Sequence, residues 1–171
     1  MNFGINDIWS YMKWSDLKII NILENISDED YNKEFNALSG NIRSKASHII
    51  SIYEYFIALL RKEQIDGFPD KSGLSRTELI SLWKKDLQEL ERLMTKEQGL
   101  IALPLAGNQR VQAKHIYLDA SLHTIHHKGQ ILTMLRMMGK SKEDLHPRDT
   151  NMDYLWYLFS AKKEEIRPAI N

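Results

Sequence analysis

Cysteine is absent from this chain of 171 residues. Without thiols the protein has no disulfide cross-links, no thiolate metal ligands and no cysteine nucleophile. Proline and glycine are also scarce, at four and eight residues, and these are the residues that most often interrupt a helix. The composition therefore favours long, uninterrupted helices.

An excess of charge of either sign is absent as well. Lys plus Arg and Asp plus Glu number 23 each, so the formal net charge is zero. Such a chain lacks the basic surface that binds nucleic acids or anionic membranes. No apolar stretch approaches the roughly 20 residues that span a bilayer, and the N-terminus lacks the basic start and apolar run of a signal peptide. We therefore expect one cytoplasmic domain over residues 1–171, with neither a nucleic acid nor a membrane as partner.

Apolar residues recur at helical spacing in four long segments, and the pattern predicts an all-α fold, a four-helix bundle. A polar connector over residues 27–41 separates the first two segments. Ser75 and Glu78 have the spacing of a capping box, which marks the start of the third helix. In the first helix the apolar positions are Ile8, Met12, Leu17, Ile20 and Leu23. The predicted helices run from about Asn6 to Asn25, from Ile42 to Lys62, from Ser75 to Met94 and from Lys114 to Met138, where Gly139 ends the last one.

Residues 99–113, GLIALPLAGNQRVQA, have a different character. Two short apolar or alternating runs flank Gly107 and Asn108, a dipeptide suited to a tight turn. The segment predicts a small β-hairpin before the fourth helix, with Pro104 on a strand edge. After the fourth helix, the spacing of Thr150 and Asp153 fits a capping pattern for a short C-terminal helix.

Three of the six histidines fall within five positions of the fourth predicted helix, in SLHTIHHKGQ. Positions four apart differ by only about 40° around a helix, so His123 and His127 share one face, and that face is otherwise apolar. Such a pair forms a familiar metal clamp, and His48 on the apolar face of the second helix is the candidate third ligand. The alternative is a pair of neutral core histidines, hydrogen-bonded to each other, to Gln130 or to a backbone carbonyl. The spacing alone leaves both interpretations open.

Three segments of the chain together resemble the DinB-like family of metal-dependent helical bundles. HTIHHKGQILTMLRMMG, residues 123–139, is similar to the family's helix-four signature. SGNIRSKASHII, residues 39–50, is similar to its helix-two entry, and MDYLWYL, residues 152–158, to its C-terminal helix. The sequence departs from the pattern at Leu122, where an Asn is common, and at Lys128, where an Arg is common. Neither departure falls on a candidate metal ligand.

The resemblance implies a divalent ion bound by His48, His123 and His127, with His126 in the motif but outside the ligand set. Zinc or nickel is the expected metal, with iron or copper as alternatives, since histidine ligands suit all four. Three histidines leave open positions for a substrate, so the expected activity is that of a thiol S-transferase or a hydrolase. A low-molecular-weight thiol is the expected small-molecule partner.

Supporting groups are sparsely marked in the sequence. Gln130 and Asp119, one turn after His127 and one turn before His123, are the candidates for contacts with the ligands or with a bound water. His115 and His146 are interpreted as surface or loop residues. A non-enzymatic, metal-binding stress-response protein remains the alternative function.

The fourth predicted helix carries a second apolar stripe, roughly opposite His127. A bundle helix with one buried face requires only one such stripe. The stripe is covered either by the same chain, including its C-terminal YLWYLF segment, or by a second copy. Because two-fold dimers are the commonest oligomers, we expect a homodimer through this stripe, which consists of Leu118, Leu122, Ile125, Gly129 and Leu132.

Overall fold

A computed structural model of the chain describes residues 4–38, 40–96, 98–140 and 157–158. It confirms the all-α bundle with a small hairpin before the last long helix. Of the predicted C-terminal helix, residues 157–158 are helical, and the rest lies outside the described residues, as does His146. The helices are α1 (Ile5–Asn25), α2 (Asp28–Asn32), α3 (Ile42–Arg61), α4 (Arg76–Met94) and α5 (Ala113–Met137).

The long helices begin and end at residues whose local chemistry explains the boundary. At the start of α4, the Ser75 amide donates to Glu78 Oε2 at 2.8 Å and the Glu78 amide donates to Ser75 Oγ at 3.3 Å, which confirms the predicted capping box. Asn41 caps α3 by accepting from the Ser44 amide at 2.8 Å. Gly139, with φ of 76°, follows α5 in the left-handed conformation that glycine adopts without steric cost.

The polar connector between α1 and α3 is more structured than its composition predicts. It contains α2, capped by Ser27, whose Oγ accepts from the Asp30 amide at 3.1 Å. Tyr31 and Phe35 are 2% and 8% exposed and join the hydrophobic core. The sequence pattern gave no indication of this short helix, because two isolated aromatic residues in a polar run give no periodic signal.

The predicted β-hairpin is present, with one correction. Strands β1 (Leu100–Leu103) and β2 (Gln109–Gln112) pair antiparallel, with Ile101 opposite Val111. Gly107 and Asn108 have φ of 65° and 60°, which is the left-handed conformation that this dipeptide favours in turns. Pro104 does not lie on a strand edge, because it begins a short 3-10 turn between the strands.

Helix α3 packs against both α4 and α5, and α5 also packs against α1. Nearly every residue in the second half of α3 is buried, so this helix is the centre of the bundle. In α1 the sequence pattern misplaced Leu17, which is 44% exposed, whereas the preceding Asp16 is 0% exposed. Asp16 lies one turn from Met12 and from Ile20, so a carboxylate occupies the core-facing stripe. No helix among the described residues is long and apolar enough to cross a membrane.

Candidate metal centre

Contact between α3 and α5 brings His48 next to His123 and His127, which lie one helical turn apart on α5. His48 Nε2 lies 3.1 Å from His123 Nε2, and His127 Nε2 lies 3.0 Å from the same atom. The ligand atoms of the three rings all lie within 4.8 Å of one another. In the described part of the chain, no other group of three or more His, Cys, Asp or Glu side chains converges in this way.

Hydrogen bonds between the rings do not explain this convergence. A ring nitrogen of a neutral imidazole carries either one proton or one lone pair in the ring plane. His123 Nε2 has two nitrogen neighbours at about hydrogen-bond distance, and it has one proton or one lone pair to share between them. At least one of the two contacts is therefore left without a well-directed hydrogen bond, whereas one cation placed among the rings would use all three lone pairs.

The spacing of the nitrogens fits a shared divalent ion. Imidazole nitrogens bind zinc at about 2.0–2.1 Å, so two of them lie about 2.9 Å apart at a right angle and about 3.4 Å apart at a tetrahedral angle. The observed 3.0 and 3.1 Å fall at the short end of this range. These two separations therefore fit histidine nitrogens that share a zinc-like ion.

Gln130 contacts the ring of His127 rather than a position where a water would bind. Its Oε1 lies 2.8 Å from His127 Nδ1, so the Nδ1–H donates to the amide oxygen. This hydrogen bond places the proton of the neutral ring on Nδ1 and leaves the Nε2 lone pair facing the other two rings. Gln130 is one helical turn from His127, as the sequence indicated, and its observed contact orients the ring.

Burial lowers the pKa of each of the three histidines. The pKa of His127, which is 8% exposed, is lowered to about 4, mainly by burial, with Gln130 opposing the shift and the neighbouring histidines adding to it. Burial also lowers the pKa values of His48 and His123, with Asp119 opposing the shift at His123. All three rings are therefore neutral at pH 7, which is the protonation state that binds metals.

The other candidate residues lie at the edge of the cluster or outside it. Asp119 is exposed and acts on His123 through its charge. His126 is exposed, and its ring packs 5.0 Å from that of His127, but it is not one of the three converging side chains. His115 is also exposed.

The cluster is accessible from one side. His48 and His123 are half-buried, and His48 lines a cavity of about 460 Å³ beside α3. The half-exposed ring of Phe68 stacks edge-on against His48 with centroids 6.4 Å apart. The cavity lining is mostly polar and consists of Asn41, Arg43, Ser44, Ser47, His48, Ser51, Asp70 and Ser72.

Sequence reasoning missed a buried charged network directly next to His127. Lys128 is 4% exposed, and its Nζ donates to Asp16 Oδ1 at 2.6 Å. Asp16 Oδ2 also accepts from the Tyr53 hydroxyl at 2.6 Å and from Trp83 Nε1 at 2.9 Å. The network ties α5 to α1, α3 and α4. The signal in the sequence was Asp16 at a core-facing position, four residues after Met12.

The fold and the cluster define a class of protein, namely a helical bundle with a three-histidine site between two of its helices. The model of the DinB family matches residues 1–166. The chain therefore belongs to the DinB family. It is also similar to the uncharacterized protein YjoA of Bacillus subtilis (strain 168), with 28% identity over 127 residues, which cover 71% of this chain and 82% of that protein.

Proposed function

We propose that the protein is a metal-dependent enzyme in which His48, His123 and His127 bind one divalent ion, with zinc or nickel favoured over iron or copper. The observation that carries the proposal is the convergence of three neutral imidazoles on a partly exposed side of the bundle, with the Nε2 atoms of His48 and His127 each about 3 Å from His123 Nε2. Structural zinc sites are closed by four protein ligands. Three histidine ligands would leave room for a substrate.

The three imidazoles are neutral, so they leave the full charge of the ion uncompensated. A bound ion of this kind supplies Lewis acidity, which lowers the pKa of a thiol or a water that reaches it. Gln130 holds His127 in the required tautomer, and the half-buried rings of His48 and His123 border the opening. A proton released there passes to solvent, because the structure places no carboxylate in hydrogen-bond contact with the three described rings.

The cavity beside His48 supports a small polar substrate. Its lining offers the hydroxyls of Ser47 and Ser51, the exposed carboxylate of Asp70 and the Arg43 guanidinium. Groups of both charges and several hydroxyls suit a low-molecular-weight thiol with polar substituents. In a transferase reaction its sulfur would form a bond to an electrophilic carbon as the leaving group departs. In a hydrolase reaction water would take the place of the thiol.

The test is turnover that depends on both the ion and a thiol. Protein loaded with zinc or nickel is mixed with cysteine or glutathione and chlorodinitrobenzene, and chloride release is compared with that of metal-free protein and of His123→Ala. We expect a rate above background for the loaded protein and for His126→Ala only. A fully loaded protein without thiol-dependent or hydrolytic turnover would instead favour the non-enzymatic metal-binding protein.

Two further parts of the proposal concern setting and assembly. A reducing compartment such as the cytoplasm keeps small thiols available, so we assign the protein to it.

We also propose a homodimer through the second stripe of α5, because Leu122, Ile125 and Leu118 are 58%, 41% and 36% exposed. Light scattering should give twice the chain mass for the unmodified protein and the chain mass for Leu122→Glu. A monomer in both cases would contradict the dimer.

A further inference from the structure

A second cavity lies between α3 and α4, on the side covered by the connector between these helices. Its volume is about 540 Å³, within the range of small-ligand sites. It shares no lining residue with the cavity beside His48. Ile57, Ala58, Ile65 and Leu82 supply apolar walls.

Asp86 of α4 lines this cavity and is a buried acid without its full set of partners. Its side chain is 4% exposed, and its Oδ2 atom is buried with no hydrogen-bond partner. A buried polar atom without a partner lowers the stability of the fold. Asp16, the other buried aspartate described above, has three donors within hydrogen-bond distance. Packing alone therefore does not account for a carboxyl at position 86.

The cations around the cavity do not donate a hydrogen bond to Asp86 Oδ2. Glu89 accepts from Arg61 at 2.8 and 3.0 Å and from Arg92 at 2.5 and 2.6 Å. Lys71 pairs with Glu54 at 2.5 Å, and Lys85 is exposed. The two arginines and Lys71 are therefore paired with glutamates, and no described cation is hydrogen-bonded to Asp86 Oδ2.

We propose that this cavity binds a small organic ammonium ion, with Asp86 as its anionic partner and the aliphatic part of the ligand against Ile57, Ala58 and Leu82. An ammonium group donates several hydrogen bonds and would pair with the carboxyl of Asp86, which lines the cavity. Glu54 adds a second negative charge nearby, which disfavours an anionic ligand. A metal ion is a poorer fit, because the described residues offer no group of three ligand atoms here.

The ionisation of Asp86 agrees with this assignment. Burial, followed by the negative charge of Glu54, raises its pKa to about 8, while Lys71, Lys85 and Arg61 oppose the shift. A cation next to the carboxyl favours its ionised form. Binding of an ammonium ion should therefore release a proton below pH 8, and it should be strongest once the pH exceeds that value.

Calorimetric titration of the metal-loaded full chain with n-butylammonium chloride tests the proposal, with n-butanol as the uncharged ligand of similar shape. We expect saturable binding of the amine but not of the alcohol, and proton release that varies with the ionisation enthalpy of the buffer. Asp86→Asn keeps the shape and should weaken binding at least tenfold. Asp66→Asn, which alters an exposed acid outside the cavity lining, should bind as the unmodified protein does.

Ala58→Leu provides a second variant, because it fills the cavity without changing a charge and should also remove amine binding. Metal content and thermal unfolding, measured on every variant, verify that the histidine site and the fold are retained. Equal amine affinity in Asp86→Asn, or no saturable binding by the unmodified protein, would overturn the proposal. Neither result depends on whether the histidine site is catalytic.

Discussion

His127 and Lys128 are neighbours in the sequence and both are buried, yet the polar atoms of their side chains have opposite kinds of partner. The Lys128 ammonium lies within hydrogen-bond distance of Asp16, of Ser15 and of the Met12 sulfur. The Nε2 atom of His127 lies 3.0 Å from His123 Nε2, in the group that also includes His48. Lys128 therefore has all its donors matched within the protein, whereas His127 shares its position with other nitrogen acceptors that lack a donor.

The difference shows how two kinds of buried polar group can be distinguished. Donors matched to acceptors, as around Asp16, stabilise a particular arrangement of helices and leave no capacity for a ligand. Acceptors gathered together without enough donors, as among the three histidines, are costly unless a cation binds. The four predictions below test this distinction, from the largest expected effect to the smallest.

Replacement of Lys128 by Met should cause the largest loss of stability. The change leaves Asp16 buried without its cation, and breaking a buried ion pair in this way costs about 3–5 kcal/mol of unfolding free energy. Urea denaturation measures the loss. Lys13→Met is the matched control, since the exposed pair of Lys13 and Glu91 should contribute about 0–1 kcal/mol. Equal losses in the two variants would show that the buried network does not stabilise the fold.

Replacement of His48, His123 or His127 by Ala should act on metal binding instead of on folding. Each change removes a ligand. We expect metal affinity to fall by more than about 100-fold, because losing a residue that only hydrogen-bonds a metal ligand already costs up to about that much. Unfolding of the metal-free protein should change less than in Lys128→Met, because His48 and His123 are half-buried and His127 loses a single hydrogen bond, to Gln130. Elemental analysis and competition with a chelator measure binding.

His126→Ala is the control for the ligand variants, because its side chain is exposed and outside the converging set. It should retain one ion per chain. Metal loss in His126→Ala equal to that in the other three variants would show that the ligand assignment is wrong.

Replacement of Gln130 by Leu should have a smaller effect on the same property. Without the hydrogen bond to its Nδ1 atom, His127 is no longer held in one tautomer and one ring orientation. This should weaken metal binding by about 10- to 100-fold. Asp119→Asn should weaken it less, since Asp119 is exposed and acts on His123 through its charge alone. A larger effect at Asp119 than at Gln130 would reverse the roles given to these residues.

Mild acid should have the smallest effect. A proton and a metal compete for the same imidazole lone pair, and the lowered pKa values of the three histidines shift that competition below the usual histidine value of about 6.5. Metal affinity should change little on acidification from pH 7 to 6 and then fall towards the pKa of about 4 for His127. A steep loss centred at 6.5 in a chelator competition would indicate solvated rings. Unchanged binding at pH 4 would indicate that acids bind the ion.

The sequence by itself determined the helices, the hairpin and the pairing of His123 with His127, because these depend on local spacing. A residue four positions away shares a helix face, Gly107 and Asn108 adopt a left-handed turn, and Ser75 caps a helix wherever that helix is placed. His48 was predicted as the third ligand from its apolar face and the family resemblance, not from any contact. The short helix α2 was missed because its aromatic residues are isolated in the sequence.

Only the tertiary structure decided which polar groups meet across helices. The separation of His48 Nε2 from His123 Nε2 is set by the packing of α3 against α5, and no spacing within one helix encodes it. The same holds for Lys128, where a surface-type residue is buried because α1 places Asp16 opposite it. Asp86 is the third case, an acid whose lack of a partner is a property of the space between α3 and α4. Local interactions fix the direction of a side chain, and long-range packing fixes its partner.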